Sequence, residues 1–155
     1  MHFVILSVDG TTSRVSFDDW AYLSRFTWRT HKGGYLYRSS HGHTILMHRE
    51  VARRGGFIAR QIDHVNLDKT DNRRENLRPT DSVRNQYNVR SRRGSTSKFK
   101  GVYWCKAKRK WRAKICHSGG VITHIGYFVK EEDAARAYNE AASRLHGEFA
   151  LLNEV

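Results

Sequence analysis

Residues 62–88 read IDHVNLDKTDNRRENLRPTDSVRNQYN, and the spacing of polar residues in this stretch decides how the rest of the chain is read. Apolar Ile62 marks a strand end, and Asp63 and His64 follow it at once. Asn76 lies twelve residues after His64, inside Glu75-Asn76-Leu77-Arg78, and Asn85 lies 21 after it. Pro79-Thr80-Asp81 is a helix start, because Thr80 can cap and Asp81 sits where the macrodipole favours negative charge. A helix over residues 81–89 is expected, with Asn85 and Asn88 three apart on one face. By themselves an Asp-His pair and asparagines at 72, 76, 85 and 88 would also suit a polar loop of turns and caps.

Upstream, short alternating segments at residues 3–8, 14–17, 27–30, 35–39 and 44–47 read as strands, with turns at Gly33-Gly34 and Gly42. Asp18-Asp19 would cap one or two helical turns beginning at Trp20. Residues 48–54 would form another short helix, stopped by Gly55-Gly56.

Set among these elements, the Asp63-His64, Asn76 and Asn85 spacing resembles the HNH nuclease family, in the variant where asparagine replaces the last histidine. That variant occurs among phage and intron-encoded homing endonucleases, and residues 45–51 (ILMHREV) resemble its lead-in. The resemblance covers residues 45–90 and implies a ββα-metal unit holding one divalent ion. It implies His64 as general base, since a neutral imidazole can take a water's proton near neutral pH. It implies Asp63 and Asn85 as ligands of Mg²⁺ or Mn²⁺, with Asn88 a competitor for Asn85, and Asn76 as the residue that shapes the loop and orients His64. Oxygen ligands of this kind suit Mg²⁺, which keeps several waters and takes substrate phosphate as well. His48 would either assist phosphate binding or start the short helix.

Charge locates the partner. The 155 residues carry 28 Lys+Arg and 15 Asp+Glu, a net +13. Residues 82–130 hold 13 of the basic residues and no acid, residues 1–81 sum to +4, and residues 131–155 to −4. An acid-free basic block with interleaved aromatics points to nucleic acid rather than to a merely solvated face. No apolar run approaches the ~18 residues of a membrane span. The start, MHFVILSVDG, lacks a basic n-region and reads as a first strand rather than a signal peptide, which implies a cytoplasmic protein of a bacterial or phage-infected cell. Cys105 and Cys116 are too few for a disulfide framework and lack zinc-site spacing.

The last third has its own rhythm. Residues 90–98 are polar, small and basic, and read as a linker. Residues 100–106, 110–116 and 121–128 read as three strands, with a Ser118-Gly119-Gly120 turn before the third. A helix over residues 131–146 follows from apolar positions 134, 135, 138, 141, 142 and 145, with three acids opening it and Gly147 closing it. In residues 110–115, alternation separates Lys110, Arg112 and Lys114 from Trp111, Ala113 and Ile115. The apolar row can pack on the alanine face of the helix, leaving cations about 7 Å apart on the other face.

These pieces resemble the APETALA-type (ethylene-response-factor) DNA-binding domain, through KGVYW at residues 100–104, KWRAKI at 110–115, IGYF at 125–128 and EDAARAYN at 132–139. In that family the sheet lies in the major groove. The resemblance implies Lys100, Tyr103, Trp104, Lys106, Arg112, Lys114 and His124 as contacts, and Arg90, Arg92, Arg93 and Lys98 would track the backbone from the linker. Lys100, Tyr103 and His124 depart from that family's usual residues, so its sequence preference does not carry over. Trp104 could equally pack in the core, as Trp111 is expected to.

The chain therefore reads as an α+β protein: an HNH nuclease domain with small N-terminal strands at residues 1–90, a basic linker at 91–98, and a three-stranded antiparallel sheet on one helix at 99–155. The expected function is a metal-dependent, site-selective endonuclease that nicks double-stranded DNA as a monomer. The rivals are a DNA-binding regulator with a vestigial HNH loop and, on charge alone, an RNA-binding protein.

Overall fold

In the computed structural model of the chain, which describes residues 3–91, 94–118 and 120–155, the alternation at the start of the sequence becomes an antiparallel hairpin. Its strands are β1 (Phe3–Leu6) and β2 (Thr12–Val15), paired from Phe3 with Val15 to Leu6 with Thr12. Ile5 and Val15 point into the core. Arg92 and Arg93, two of the expected DNA contacts, lie outside the described residues. The chain divides into two compact units, one ending at Asp81 and one beginning at Ser82.

In the first unit, α1 (Phe17–Leu23) is flanked by Ser16, not capped by the aspartates. Asp19 is instead buried, and its carboxylate accepts from Arg54 Nε at 3.0 Å, Arg74 Nε at 2.6 Å and Arg74 Nη2 at 2.8 Å. The expected cap is thus a tertiary ion cluster, because a buried carboxylate must find cations. An antiparallel sheet follows, ordered β3 (Arg29–Thr30), β4 (Leu36–Ser40), β5 (His43–Leu46). Helix α2 (Met47–Arg54) buries Met47, Val51 and Ala52 and ends at Gly55. Strands β6 (Gln61–His64) and β7 (Leu77–Thr80) form a two-stranded ribbon, with one 3-10 turn (Arg74–Asn76) leading into β7. Ile5, Val15, Leu23, Trp28, Leu36, Met47, Val51 and Leu77 make one core.

In the second unit, α3 (Ser82–Tyr87) is six residues long, shorter than the expected 81–89 helix. None of its residues is buried, so no apolar stripe sustains it further. The sheet order is β10 (Val121–Phe128), β9 (Lys110–His117), β8 (Val102–Cys105), all antiparallel. Helix α4 (Glu131–His146) has the bounds its periodicity implies and packs Ala134, Ala135, Ala141 and Ala142 against Ala113 and Ile115. Part of the expected linker is tied into this unit. Buried Ser97 donates to Glu131 Oε1 and accepts from the Phe99 N–H, and Thr96 Oγ1 accepts from the Trp104 N–H. The whole is mixed α+β, with four small antiparallel sheets and four α-helices among the described residues.

Gly101, just before β8, lies against the Tyr138 ring of α4. Its φ is +76°, and a Cβ there would lie 2.2 Å from the Tyr138 ring and 2.7 Å from the Lys114 carbonyl oxygen. Gly101→Ala combines left-handed strain with an overlap against backbone, which cannot yield cheaply. It should lower the stability of the second unit by roughly 2–4 kcal/mol in urea unfolding.

Candidate functional site

The β6–β7 ladder pairs Asp63 with Arg78 and His64 with Leu77. Adjacent residues on a strand point to opposite faces, so the aspartate and the histidine enter different surroundings. Asp63 meets its cross-strand neighbour: Arg78 Nε and Nη2 both donate to Oδ2, at 3.1 and 2.8 Å. His64 turns inward, and only 4% of it is exposed. Its ring centroid lies 5.2 Å from that of His48 and 5.9 Å from that of Tyr35, while Tyr35 and His48 are 5.0 Å apart. Its Nε2 lies 3.2 Å from Asn72 Oδ1. Lys69 closes the group from outside, with its ammonium 4.6 Å from the centre of the Tyr35 ring and donating to the Gly33 carbonyl.

Residues 65–76 are shaped by side-chain amides and one buried carboxylate. Asn76 donates to Asn66 Oδ1 and to the Asp71 carbonyl, and accepts from the Asn66 N–H. Asp71 is fully buried, takes two hydrogen bonds from Arg73 at 2.7 Å each and one from Asn66, and lies 3.3 Å from Arg14 Nη2. Hydrogen bonds from Arg73 hold its carboxyl below the usual carboxylate range, against the opposing effect of burial. The Arg14 backbone is tied across the gap to two residues: its N–H donates to the Thr70 carbonyl and its carbonyl accepts from the Asn72 N–H.

Burial sets the charge of both histidines. It pushes His64 below its ordinary value, outweighing the Asn72 hydrogen bond and the nearby Asp63, Asp68 and Asp71 charges. It pushes His48 down to about 3, helped by the positive charges of His64 and Arg49. Near neutral pH both rings are therefore neutral, the form in which an imidazole can accept a proton.

In the second unit the outer face of the sheet carries a row one residue deep in each strand: Tyr103, Arg112 and Tyr127 are direct ladder partners. The Arg112 guanidinium carbon lies 5.6 Å from one ring centre and 5.8 Å from the other. Lys114 is ladder partner to His124, and its ammonium is 5.0 Å from the Tyr103 ring. The other expected contacts fall elsewhere. Trp104 pairs with Trp111, rings 5.2 Å apart; Trp111 packs on the core beneath α4, and Trp104 stays exposed. Lys100 Nζ donates to the Tyr87 carbonyl, and burial brings its pKa down to about 8. Lys98 covers the Phe99 ring, and Arg90 and Lys106 are exposed.

No family model matches the chain, and no solved structure does. A curated protein of Acanthamoeba polyphaga mimivirus, named an uncharacterized HNH endonuclease, is 32% identical over 151 residues, 94% of this chain and 76% of that protein. The chain belongs to the HNH endonuclease family. Of the HNH residues expected from the sequence, Asp63, His64 and Asn76 lie in the first unit, the first two on β6 and Asn76 in the turn that leads into β7. Asn85 is exposed on α3 and is grouped with the second unit, as is Asn88, which is buried.

Tyr35, Asn72, Ser13 and Arg78 were not singled out by sequence reasoning. The one signal that could have found Arg78 is its place opposite Asp63 in a two-stranded ribbon; Asn72 carried none beyond its place in a polar loop. As to a metal, no three His, Cys, Asp or Glu converge among the described residues, so a closed zinc-type site does not fit. The donors of this HNH chain are hard oxygens. The Asp63 carboxylate is a hard-oxygen donor of the kind Mg²⁺ takes, and its Oδ2 is already engaged by Arg78.

The neutral histidines give folding a pH dependence. Their folded pKa values lie below the 6.5 of a free imidazole. Below pH 6.5 the unfolded chain therefore binds protons that the folded chain refuses. Stability should be full above pH 6.5 and fall as pH drops, by up to about 1.4 kcal/mol per pH unit for each such histidine. Urea unfolding between pH 7.5 and 5 should show this loss, and His48→Phe should flatten it.

Proposed function

We propose that the chain is a divalent-metal-dependent DNA endonuclease that cuts one strand of duplex DNA per binding event. The observation that carries this reading is His64: a buried imidazole with its Nε2 beside Asn72 Oδ1, pushed below its ordinary pKa by burial, on the strand that also bears the Asp63 carboxylate. A neutral base poised in this way can take the proton of a water attacking the phosphodiester. Asp63 would hold the ion. A bound Mg²⁺ would relieve charge on the phosphate and stabilise the leaving oxygen. Lys69, beside Tyr35, supplies positive charge near the same group. Asn76 acts at a distance, by holding the loop.

Binding would come from the second unit. Tyr103, Arg112, Lys114 and His124 make a cationic and aromatic face that suits the major groove, as the APETALA-type resemblance implies. Arg90, Lys98 and Lys106 would add phosphate contacts, whereas Lys100 is committed to α3. One observation favours a second reading, binding without cleavage: the Arg78 guanidinium already neutralises Asp63, the residue a metal would need.

Incubation with supercoiled plasmid separates the two. The nuclease reading expects open-circular product with Mg²⁺ or Mn²⁺, none with EDTA, and a loss of roughly 10²-fold or more for His64→Ala. Binding that survives in every sample without nicking would leave the second reading standing. In a salt titration of DNA binding, Lys114→Ala should weaken affinity and reduce the slope of log K against log salt by about one.

A further inference from the structure

We propose that the β3–β4 hairpin of the first unit is a second DNA-contact surface, on which Arg29, His31, Lys32, Tyr37 and Lys69 hold backbone phosphates of the strand presented to His64. This rests on the reading of the chain as a DNA endonuclease and names where the nuclease unit itself grips its substrate.

The sum of +4 over residues 1–81 hides a local imbalance. Trp20 to Arg49 is a run of 30 residues with five Lys or Arg, four His and no acid. The whole β3–β4–β5 sheet lies inside it. The run is not itself the surface. Arg38 turns its guanidinium to 4.1 Å from the Phe26 ring centre, and Arg25 sits in the turn after α1. What the fold keeps together is the hairpin. Leu36, ladder partner of Thr30, is buried in the core, so Arg29 and its partner Tyr37 stand on the opposite face. Arg29 is exposed and Tyr37 half-buried. Ser39 and its partner Thr44 continue that face and are exposed as well. One acid reaches the hairpin. Asp9 accepts from the Thr30 N–H and hydroxyl, and Thr30 shares the face of Leu36, not that of Arg29.

The tip of the hairpin carries His31 and Lys32, both exposed, and is closed by the Gly34 N–H donating to the His31 carbonyl at 2.8 Å. The His31 ring lies edge-on to Tyr37, centroids 6.2 Å apart. Its Nδ1 accepts from the Gly33 N–H at 3.1 Å, so the neutral ring carries its proton on Nε2, a donor suited to a phosphate oxygen. Lys69 ties the tip to the loop after β6 by donating to the Gly33 carbonyl at 2.7 Å. An ammonium has three donors, so this tie leaves it able to meet a phosphate too. The hairpin also runs into the candidate site. The His31 N–H donates to the Tyr35 carbonyl at 2.8 Å, and the Tyr35 ring lies 5.9 Å from that of His64. Tyr37 follows Tyr35 by two residues, about 7 Å along an extended strand. The cations of the tip thus adjoin the tyrosine that packs beside His64. Side chains of this kind bind phosphate oxygens and fix where a strand lies without reading its sequence.

Arginine modification tests the surface without cleavage. With the full chain bound to plasmid DNA in EDTA, phenylglyoxal modification of Arg29, read by mass spectrometry, should slow about fivefold or more, with exposed Arg144 of α4 as the internal reference. In a salt titration, Arg29→Ala with Lys32→Ala should reduce the slope of log K against log salt by about two, since each phosphate contact contributes roughly 0.9. Both side chains are exposed, so the pair leaves the core untouched. Arg25→Ala with Arg144→Ala removes the same charge away from the hairpin and should leave the slope unchanged. Equal loss of slope in the two pairs means that net charge alone acts, and overturns the surface. An unchanged slope in the hairpin pair overturns it as well, as does Arg29 protected by single-stranded RNA and not by duplex DNA. A wild-type chain that nicks DNA while Arg29 stays unprotected overturns the surface and leaves the nuclease reading intact. Protection of Arg29 in a chain that never nicks overturns the nuclease reading and leaves the hairpin standing as a binding face.

Discussion

The carboxylate of Asp71 has no exposure to solvent, and the surroundings of His64 are arranged by the need to satisfy it. A charge without water must be met by opposite charge and hydrogen bonds. Arg73 meets it with two parallel bonds, Asn66 with a third, and Arg14 with a second positive charge. Each partner is thereby fixed in place. Arg14 brings β2 alongside the loop, Asn66 is held where its oxygen can bind Asn76, and the Asp71 carbonyl receives the other Asn76 proton. Removing one partner would leave an uncompensated buried charge, a loss of about 3–5 kcal/mol. The segment from 65 to 76 has little regular structure of its own, and this ion cluster gives it a single conformation.

His64 stands at the edge of that cluster, between acids on one side and Tyr35 and His48 on the other. The two environments pull its charge in opposite directions. Asp63, Asp68 and Asp71 favour the imidazolium, and burial opposes it more strongly. The outcome depends on the acids already being neutralised: Asp71 by Arg73 and Arg14, Asp68 by Arg14, Asp63 by Arg78. Each arginine opposes the field of its carboxylate at the ring, and burial leaves the imidazole uncharged near neutral pH.

What the sequence made legible follows from range. Helix α4 and strand β9 were readable because their patterns are local: apolar residues three and four apart, or strictly alternate, state which face is buried. The acid-free block was readable too, and it begins at residue 82, where the second unit begins. The charge map marked that division more closely than the motif did, since the motif carried the expected boundary on to residue 90. What stayed hidden depends on partners far away in the chain. Asp19 looks like a helix cap until Arg54 and Arg74, 35 and 55 residues later, are brought to it. Asn72 looks like one turn asparagine among several until Ser13 is placed behind it.

The basic residues of the second unit show why a net charge is not a binding surface. Lys100 and Lys114 both belong to the acid-free block, yet Lys100 is spent on the Tyr87 carbonyl and has lost part of its affinity for a proton through burial. Arg112 is the reverse case. It is flanked by two tyrosines on the outer face, and its Nε is buried with no hydrogen-bond partner among the described residues. A guanidinium held in this way has already given up much of its rotamer freedom. Its terminal donors can then be presented in one plane at less further entropic loss than a free lysine would incur. The ladder that sets Arg112 between Tyr103 and Tyr127 does the immobilising, and a net charge counted from the sequence does not distinguish such a cation from one spent on a carbonyl.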